Sequence, residues 1–197
     1  MQALNSGLQY TICMTKDVQT HPITIGDIQR DLPIINVGEI SVALLNLLGD
    51  SELTEAAADE LIKKMPEGID VLVTPEAKAI PLAHAMSVKT RLPYIVVRKT
   101  EKPYMVGAVK KTVISITTGK PQDLVLDGAD IEKVRGKTIA IIDDVVSTGG
   151  TLRSLSQLLE QVGGEVSYTF AVLTEGDERE DVIALGHLPL FPKEAGV

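Results

Sequence analysis

From residue 69 onward, short apolar runs rich in β-branched residues alternate with segments of helical periodicity. The apolar runs predict strands at 69–74, 94–98, 138–143 and 165–174. Helices are predicted at 81–89 and 150–162, the second because apolar side chains recur there at i, i+3, i+4 spacing up to the Gly163–Gly164 pair. Unbroken apolar strands separated by helices favour a parallel sheet covered on both faces. The pattern therefore predicts an α/β fold.

The remaining segments depart from this alternation. Residues 39–48 and 52–65 predict two helices, the second capped by Asp50 or Ser51. The Lys-rich segment 99–111 predicts a long mobile loop, and residues 112–118 and 124–126 predict an antiparallel pair. The charged stretch GDEREDV at 176–182 predicts a solvated surface turn.

Composition narrows the classes of protein that fit this pattern. The 197 residues suit a single domain, and the formal net charge of −8 with 3% aromatic residues argues against general binding of nucleic acid. No apolar run reaches the length of a membrane span, and the N-terminus has no signal-peptide pattern. The single cysteine, Cys13, indicates a reducing compartment, so we expect a cytoplasmic protein without membrane partners.

The segment IAIIDDVVSTGGT at 139–151 carries the strongest chemical signal. It joins a buried strand to two acids, then to a turn of Ser, Thr and Gly, and then to a helix. Acids at the carboxyl end of a parallel strand lie where open α/β sheets bind ligands, and their oxygens accept hydrogen bonds from vicinal hydroxyls. The glycines and the helix N-terminus offer backbone N–H groups to an anion. A phosphate on one side and a diol on the other describe a phosphorylated ribose.

This segment resembles the signature that type I phosphoribosyltransferases use to bind phosphoribosyl pyrophosphate (PRPP). The likeness extends over residues 30–191, and the layout is most similar to that of adenine phosphoribosyltransferases. The resemblance implies a Rossmann-like parallel sheet with a small hood and a flexible loop. It also implies that Asp143 and Asp144 contact the ribose hydroxyls. The implied phosphate-binding residues are Val145, Val146, Ser147, Thr148, Gly149, Gly150 and Thr151.

Two further segments are similar to functional loops of the family. The family often has Glu-Ser-Arg-Gly in a pyrophosphate-binding loop, and this chain has Glu76, Ala77, Lys78 and Ala79 there. The family's Arg-Lys pair and loop lysine correspond to Arg98, Lys99 and Lys102. By resemblance, Lys99 binds pyrophosphate with the first loop, whereas Arg98 and Lys102 join the two aspartates as catalytic residues.

One position departs from the adenine enzymes. They often carry Glu in the motif Tyr-x-x-Glu-Tyr-Gly, where it is thought to assist proton transfer at the base, and Thr117 occupies this place here. Either another group serves, for which Glu101 is a candidate, or the base or the activity differs. The alternatives are a PRPP-binding regulatory or inactive paralogue, and an enzyme for xanthine, guanine or orotate.

The resemblance implies an enzyme of purine salvage, a pentosyltransferase that forms AMP and pyrophosphate from adenine and PRPP. Its Mg²⁺ would come with PRPP, with no metal ligand supplied directly by the protein, and the protein would be a homodimer. We expect one domain over residues 1–197, with hood elements from about 1–38 and 180–197 and a core at 39–180.

Overall fold

The computed structural model describes residues 19–114 and 121–192, so Cys13 and Thr117 lie outside the described residues. The elements in chain order are β1 (Thr20–Ile25), β2 (Ile28–Val37), β3 (Ile40–Ala43), α1 (Ser51–Ile62), β4 (Val71–Pro75), α2 (Ile80–Thr90), β5 (Tyr94–Val97), β6 (Val109–Ile114), β7 (Pro121–Leu126), α3 (Gly128–Val134), β8 (Thr138–Val146), α4 (Gly150–Gln161), β9 (Glu165–Glu175), β10 (Ile183–Leu188) and β11 (Phe191–Pro192). None of the helices among these residues is long and apolar enough to cross a membrane.

The central sheet has five strands in the order β10-β9-β8-β4-β5, and all neighbouring pairs are parallel. Consecutive side chains of a strand point to opposite faces. Ile139 and Ile141 of β8 therefore pack with α3 and α4, whereas Ala140 and Ile142 pack with α1 and α2. This arrangement confirms the predicted α/β fold with a parallel sheet flanked by helices.

The elements predicted around the sheet are confirmed, with small shifts at their ends. Strand β8 continues to Val146, three residues past its predicted end, and thus includes both aspartates. Helix α1 begins after Asp50, whose Oδ1 accepts a hydrogen bond from the Leu53 N–H at 3.1 Å, so Asp50 is the cap. The predicted antiparallel pair is confirmed as β6 and β7, but β6 begins at Val109, inside the segment predicted as a loop, and residues 115–118 of the predicted first strand lie outside the described residues.

The helix predicted at 39–48 is wrong. Ile40–Ala43 form strand β3, which pairs with β2 on one side and β11 on the other, and residues 44–50 are irregular. Ser41 and Ala43 are buried, while Ile40 is exposed, which is the alternation of a strand. The apolar run also fits a helix, but pairing of residues 40–43 with both β2 and β11 overrides this local pattern.

A second sheet, of strands β1-β2-β3-β11 in that order, is antiparallel throughout and forms the small hood. Strand β3 adds residues 40–43 to the hood, and β10 adds residues 183–188 to the central sheet, relative to the expected boundaries at 38 and 180. Arg30 of β2 joins the hood to α1, since its Nε lies 2.7 Å from Asp50 Oδ2 and its Nη2 lies 2.9 Å from Glu52 Oε2.

Candidate active site

The segment 139–151 lies at the point where the order of the central sheet reverses. From β4 the chain moves outward to β5, and from β8, on the other side of β4, it moves outward through β9 to β10. In open α/β sheets, the carboxyl ends of the strands at such a reversal form a ligand-binding crevice. Strand β8 ends there, and its aspartates and the following turn stand at the crevice.

A cavity of about 880 Å³ opens at this edge of the sheet. Three parts of the chain line it. The first is the end of β8 with the turn into α4, the second is the turn from Glu175 to Asp181 after β9, and the third is the hood, through Val37–Ile40, Val42 and Leu190. Its size is within the range of small-molecule sites, about 300–1,000 Å³.

The turn between β8 and α4, which we call the phosphate loop (Ser147–Thr151), presents backbone to this cavity. Gly149 precedes α4 with φ +72°, a left-handed conformation that glycine adopts without steric cost, and no side chain caps the helix there. The first N–H groups of a helix lack intrahelical partners. Because all five residues of the loop line the cavity, these N–H groups are available to an anion.

Asp143 is the member of the aspartate pair that faces the cavity. Its Oδ1 accepts a hydrogen bond from the Asp144 N–H at 2.9 Å, and the side chain is only partly accessible. Burial, together with the nearby Asp144 carboxylate, raises the pKa of Asp143 well above its ordinary value of 3.8. A ligand that brings hydroxyl donors or positive charge would stabilise the ionised form of this carboxyl.

Asp144 is buried at 8% exposure and does not line the cavity. Its Oδ2 lies 2.9 Å from Lys78 Nζ, an ion pair that joins β8 to the loop after β4. Lys78 Nζ also donates to the Leu45 carbonyl at 3.3 Å. The two aspartates thus lie together but differ in surroundings, one facing the cavity and one held by a lysine.

Glu76, at the start of the same loop, fastens that loop to the end of β5. Its Oε2 accepts a hydrogen bond from the Lys99 N–H at 2.9 Å and lies 3.2 Å from Arg98 Nε. These two contacts lower the pKa of the Glu76 carboxyl. Ala77 follows it across a cis peptide bond, and Ala79, which is buried, precedes α2. The predicted pyrophosphate residues therefore cluster beside the aspartates.

The predicted cations stand outside the cavity itself. Lys78, Arg98, Lys99 and Lys102 are absent from its lining. Arg98 also donates to the Tyr104 hydroxyl at 3.2 Å, and Glu101, the candidate for the missing carboxylate, lies 3.4 Å from Lys110 Nζ. The structure thus brings Asp143 and the phosphate loop into one cavity, with the cations grouped around Glu76 and Asp144.

Sequence reasoning missed the turn from Glu175 to Asp181, which we expected to be a solvated surface turn. It forms one wall of the cavity, and Arg179 Nη1 donates to the Ser147 carbonyl at 3.2 Å. Burial raises the pKa of the Glu175 carboxyl at the start of this turn. The signal was available, because the turn follows the carboxyl end of a predicted parallel strand, at the edge where the aspartates lie.

Comparison with known proteins supports this arrangement. The sequence profile of the phosphoribosyl transferase domain matches residues 48–185. A hypoxanthine/guanine phosphoribosyltransferase from Methanococcus voltae is 34% identical over 155 residues, which cover 76% of this chain and 79% of that protein. A protein of the same name from Methanothermus fervidus is 35% identical over 156 residues, with the same two coverages of 76% and 79%.

Solved structures show the same fold at lower identity. An adenine phosphoribosyltransferase from Thermoanaerobacter pseudethanolicus has a TM-score of 0.61 at 21% identity, covering 72% of this chain and 84% of that one. APRTase from Giardia lamblia, solved with 9-deazaadenine, has a TM-score of 0.62 at 15% identity, covering 85% and 93%. The profile match spans most of the chain, and the resemblance seen in segment 139–151 is thereby confirmed. The chain belongs to the type I phosphoribosyltransferase family.

Proposed function

We propose that this protein transfers the 5-phosphoribosyl group of PRPP to a ring nitrogen of a purine base, giving a nucleoside 5′-monophosphate and pyrophosphate. One observation carries the proposal, namely that a single cavity brings together the phosphate loop, Asp143 and the apolar inner side of the hood. These three features match the phosphate, the ribose and the base of the product in the order in which they are joined.

Each part of the ligand has a chemically suitable partner. The phosphate loop offers N–H groups and hydroxyls to the 5′-phosphate. The Asp143 carboxylate accepts hydrogen bonds from the ribose hydroxyls. Val37, Ile40, Val42 and Leu190 line the hood side of the cavity and offer apolar surface to a flat purine ring. This apolar cover also excludes water, which would otherwise capture the activated sugar.

In the reaction, the bond between C1′ and the pyrophosphate oxygen breaks, and the electron pair leaves with pyrophosphate. A ring nitrogen of the base forms the new bond to C1′, and its proton passes to the departing pyrophosphate or to solvent. Positive charge develops on the ribose ring, where the Asp143 carboxylate stabilises it electrostatically. Negative charge develops on the leaving pyrophosphate. Lys78, the cation next to the aspartates, stabilises that charge once its ammonium group separates from Asp144.

Magnesium fits this site as part of the substrate. Among residues 19–114 and 121–192, no cluster of three or more His, Cys, Asp or Glu side chains could hold a metal ion alone. We propose, from the chemistry of a diphosphate leaving group, that Mg²⁺ binds with the diphosphate of PRPP, where it neutralises charge on the leaving group. Asp143 is the carboxylate of the pair that faces the cavity in which PRPP would lie.

Two observations bear on the base. The two relatives described above, at 34% and 35% identity, are named hypoxanthine/guanine phosphoribosyltransferases, which favours a 6-oxopurine. The adenine enzymes are similar in fold at 15–21% identity, and Thr117 replaces the Glu that those enzymes often carry. We therefore propose hypoxanthine or guanine as the base, with adenine as the competing prediction from the overall layout.

The test is a panel of bases with PRPP and Mg²⁺, in which pyrophosphate release is measured. Release with hypoxanthine or guanine is expected, and release with adenine alone would reverse the choice of base. The variant Asp144→Asn should keep the fold and lower kcat/KM for PRPP, because it removes the ion pair that positions Lys78 beside the aspartates. Turnover with none of the bases would contradict the enzymatic proposal.

A second candidate is a PRPP-binding regulatory protein or inactive paralogue. It is favoured by Thr117, which leaves the predicted position for proton transfer without a carboxyl group. Such a protein would bind PRPP in the same cavity and release no pyrophosphate with any base. The same panel, combined with a PRPP-binding measurement by calorimetry, separates the two candidates.

A further inference from the structure

Arg179, in the turn after β9, lies directly across the phosphate loop. Its Nη1 donates to the Ser147 carbonyl at 3.2 Å. A methyl group on the Gly149 Cα would stand 2.3 Å from the same nitrogen, so the guanidinium packs on the backbone of the loop. The side chain is only 14% exposed, and its hydrogen bonds go to the loop and to Asp181 of the same turn.

Asp181 fixes the orientation of this guanidinium. Arg179 Nε donates to Asp181 Oδ1 at 3.0 Å, and Nη2 donates to Oδ2, so the carboxylate grips the guanidinium at two points. The hydrogen bonds from Arg179 lower the pKa of Asp181, which keeps this carboxyl ionised. The two contacts leave the Nη1 edge directed at the phosphate loop.

The charged residues that line the cavity are mostly acidic, which makes the positive charge of Arg179 important for binding an anion. Among the residues that the structure describes, the lining contains seven acidic residues and one basic residue, which is Arg179. A phosphate monoester carries a charge of about −1.5 to −2 near pH 7. The phosphate loop supplies neutral donors only, so a dianion seated there would face uncompensated repulsion without a cation.

We propose that Arg179 is the cation of the 5′-phosphate subsite, where its guanidinium donates to the phosphate oxygens bound by the phosphate loop. The inference rests on the proposed function, which supplies the phosphorylated ribose. On binding, Nη1 exchanges the Ser147 carbonyl for a phosphate oxygen, while Asp181 keeps the guanidinium in place. Arg179 is thus a binding residue for the substrate, added to the residues that the signature segment contains.

Arg153 provides a matched control. It lies in the first turn of α4, and its Nη1 donates to the Thr148 carbonyl at 3.0 Å, yet it is absent from the lining of the cavity. Arg153→Gln and Arg179→Gln each remove one arginine hydrogen bond to a loop carbonyl. Only the second removes a cation from the cavity, so the pair separates contact with the phosphate from support of the loop.

The experiment is calorimetric titration of the full chain with ribose 5-phosphate. Arg179→Gln should weaken binding about tenfold to a hundredfold, the effect of losing a charge-assisted hydrogen bond, while Arg153→Gln should change it less than about threefold. The affinity of Arg179→Lys should lie between those of Arg179→Gln and the parent protein, because lysine keeps the charge but lacks the planar set of donors of a guanidinium. In turnover, Arg179→Gln should raise the KM for PRPP by more than it lowers kcat.

Two outcomes would overturn the inference. Equal binding by Arg179→Gln and the parent protein would show that no contact with phosphate exists, and equal weakening by Arg153→Gln would show a structural role only. If Arg179→Gln does not fold, Arg179→Lys against Arg153→Lys decides in the same way. Failure of the parent protein to bind ribose 5-phosphate would instead reject the proposed function, and this inference with it.

Discussion

At the scale of single residues, the aspartate pair shows how two neighbouring acids of one strand acquire different chemistry. Asp144 is buried against Lys78, whereas Asp143 faces the cavity with no such cation at ion-pair distance among the described residues. The raised pKa of Asp143 means that the folded protein, in the absence of substrate, disfavours its ionised form. A position of this kind reduces stability in exchange for ligand binding.

Asp143→Asn should therefore stabilise the free protein at neutral pH and impair turnover. Because the folded pKa is raised, the folded state binds more protons than the unfolded state above about pH 4, and stability falls as the pH rises through this window. The variant has no carboxyl group at this position, so its stability does not fall with pH for this reason. Its amide oxygen still accepts a hydrogen bond from the Asp144 N–H. Thermal unfolding of both proteins between pH 4 and 8 measures the effect.

The difference in Tm between Asp143→Asn and the parent should be smallest at the acid end and largest at pH 8. A difference that does not change with pH would contradict the assigned cause. The same variant should lower kcat/KM about 100-fold, if the carboxylate stabilises charge on the ribose.

Gly149→Ala tests the close approach of backbone and guanidinium at the phosphate loop. The left-handed φ of +72° costs a non-glycine residue roughly 1–2 kcal/mol, and the added methyl group displaces Arg179. We expect the free energy of unfolding to fall by about that amount and the affinity for ribose 5-phosphate to fall about tenfold.

Gly136→Ala is the control for this substitution. Gly136 has a similar φ of +67°, and an added methyl group would meet nothing within 4 Å. It should lower stability to a similar extent without changing ligand affinity, as urea unfolding and calorimetry can show. Equal loss of affinity in both variants would mean that backbone strain alone, and not the contact with Arg179, explains the effect.

At the scale of elements, the strands and helices of the central sheet follow from the sequence because each has a one-sided or fully apolar pattern that its neighbours satisfy. The structure of segment 39–48 did not follow from the sequence, since its apolar positions fit a helix as well as a strand. One of the two strands that pair with it, β11, lies about 150 residues further along the chain. Local pattern cannot encode an edge supplied by such a distant segment. The turn after β9 was missed for a related reason, because charge alone does not tell a solvated turn from the wall of a cavity.

Asp50, at the start of helix α1, makes two stabilising interactions. Asp50 caps the helix through the Leu53 N–H and also pairs with Arg30 of the hood, which lowers the pKa of the Asp50 carboxyl. Asp50→Ala should lower the free energy of unfolding by about 1–2 kcal/mol, the usual cost of a lost cap. Chemical unfolding in urea measures this loss.

Glu52→Ala is the matched control for the cap, since it removes the more exposed partner of Arg30 and leaves the cap intact; it should cost less than about 0.5 kcal/mol. Because the folded pKa of Asp50 is lowered, its contribution is full above its ordinary value of 3.8 and is lost as the pH falls through the folded pKa. A penalty for Asp50→Ala that persists unchanged at pH 2 would count against this account.

At the scale of the whole molecule, the alternation of apolar strands and helices predicted the fold class, and segment 139–151 indicated where in that fold the candidate site lies. A buried strand, two acids, a glycine turn and a helix have few packing solutions, and all of them place the acids at the carboxyl edge of a parallel sheet. The composition of the cavity was less predictable. The hood reaches it only through tertiary packing, so Val37 and Leu190 have no local signature, whereas the place of Arg179 after the carboxyl end of a predicted parallel strand was a signal.

The net negative charge of the chain contrasts with a group of cations at one edge of the central sheet. A net charge of −8 opposes the approach of a polyanion such as PRPP. The cations that would receive it are concentrated at one edge of the sheet, where Lys78, Arg98 and Arg179 are each held by an acid. These ion pairs keep the basic groups oriented before the ligand arrives.

The path of the chain after β9 has a consequence for how the two ends of a ligand communicate. The turn that carries Arg179 leads through β10 to Leu190 and β11 of the hood, and the Gly176 N–H donates to the Leu188 carbonyl at 3.1 Å. In the proposed binding mode, one uninterrupted stretch of polypeptide touches both the anionic tail and the aromatic head of the nucleotide. An insertion or deletion in this stretch is therefore expected to alter tail recognition and head recognition together.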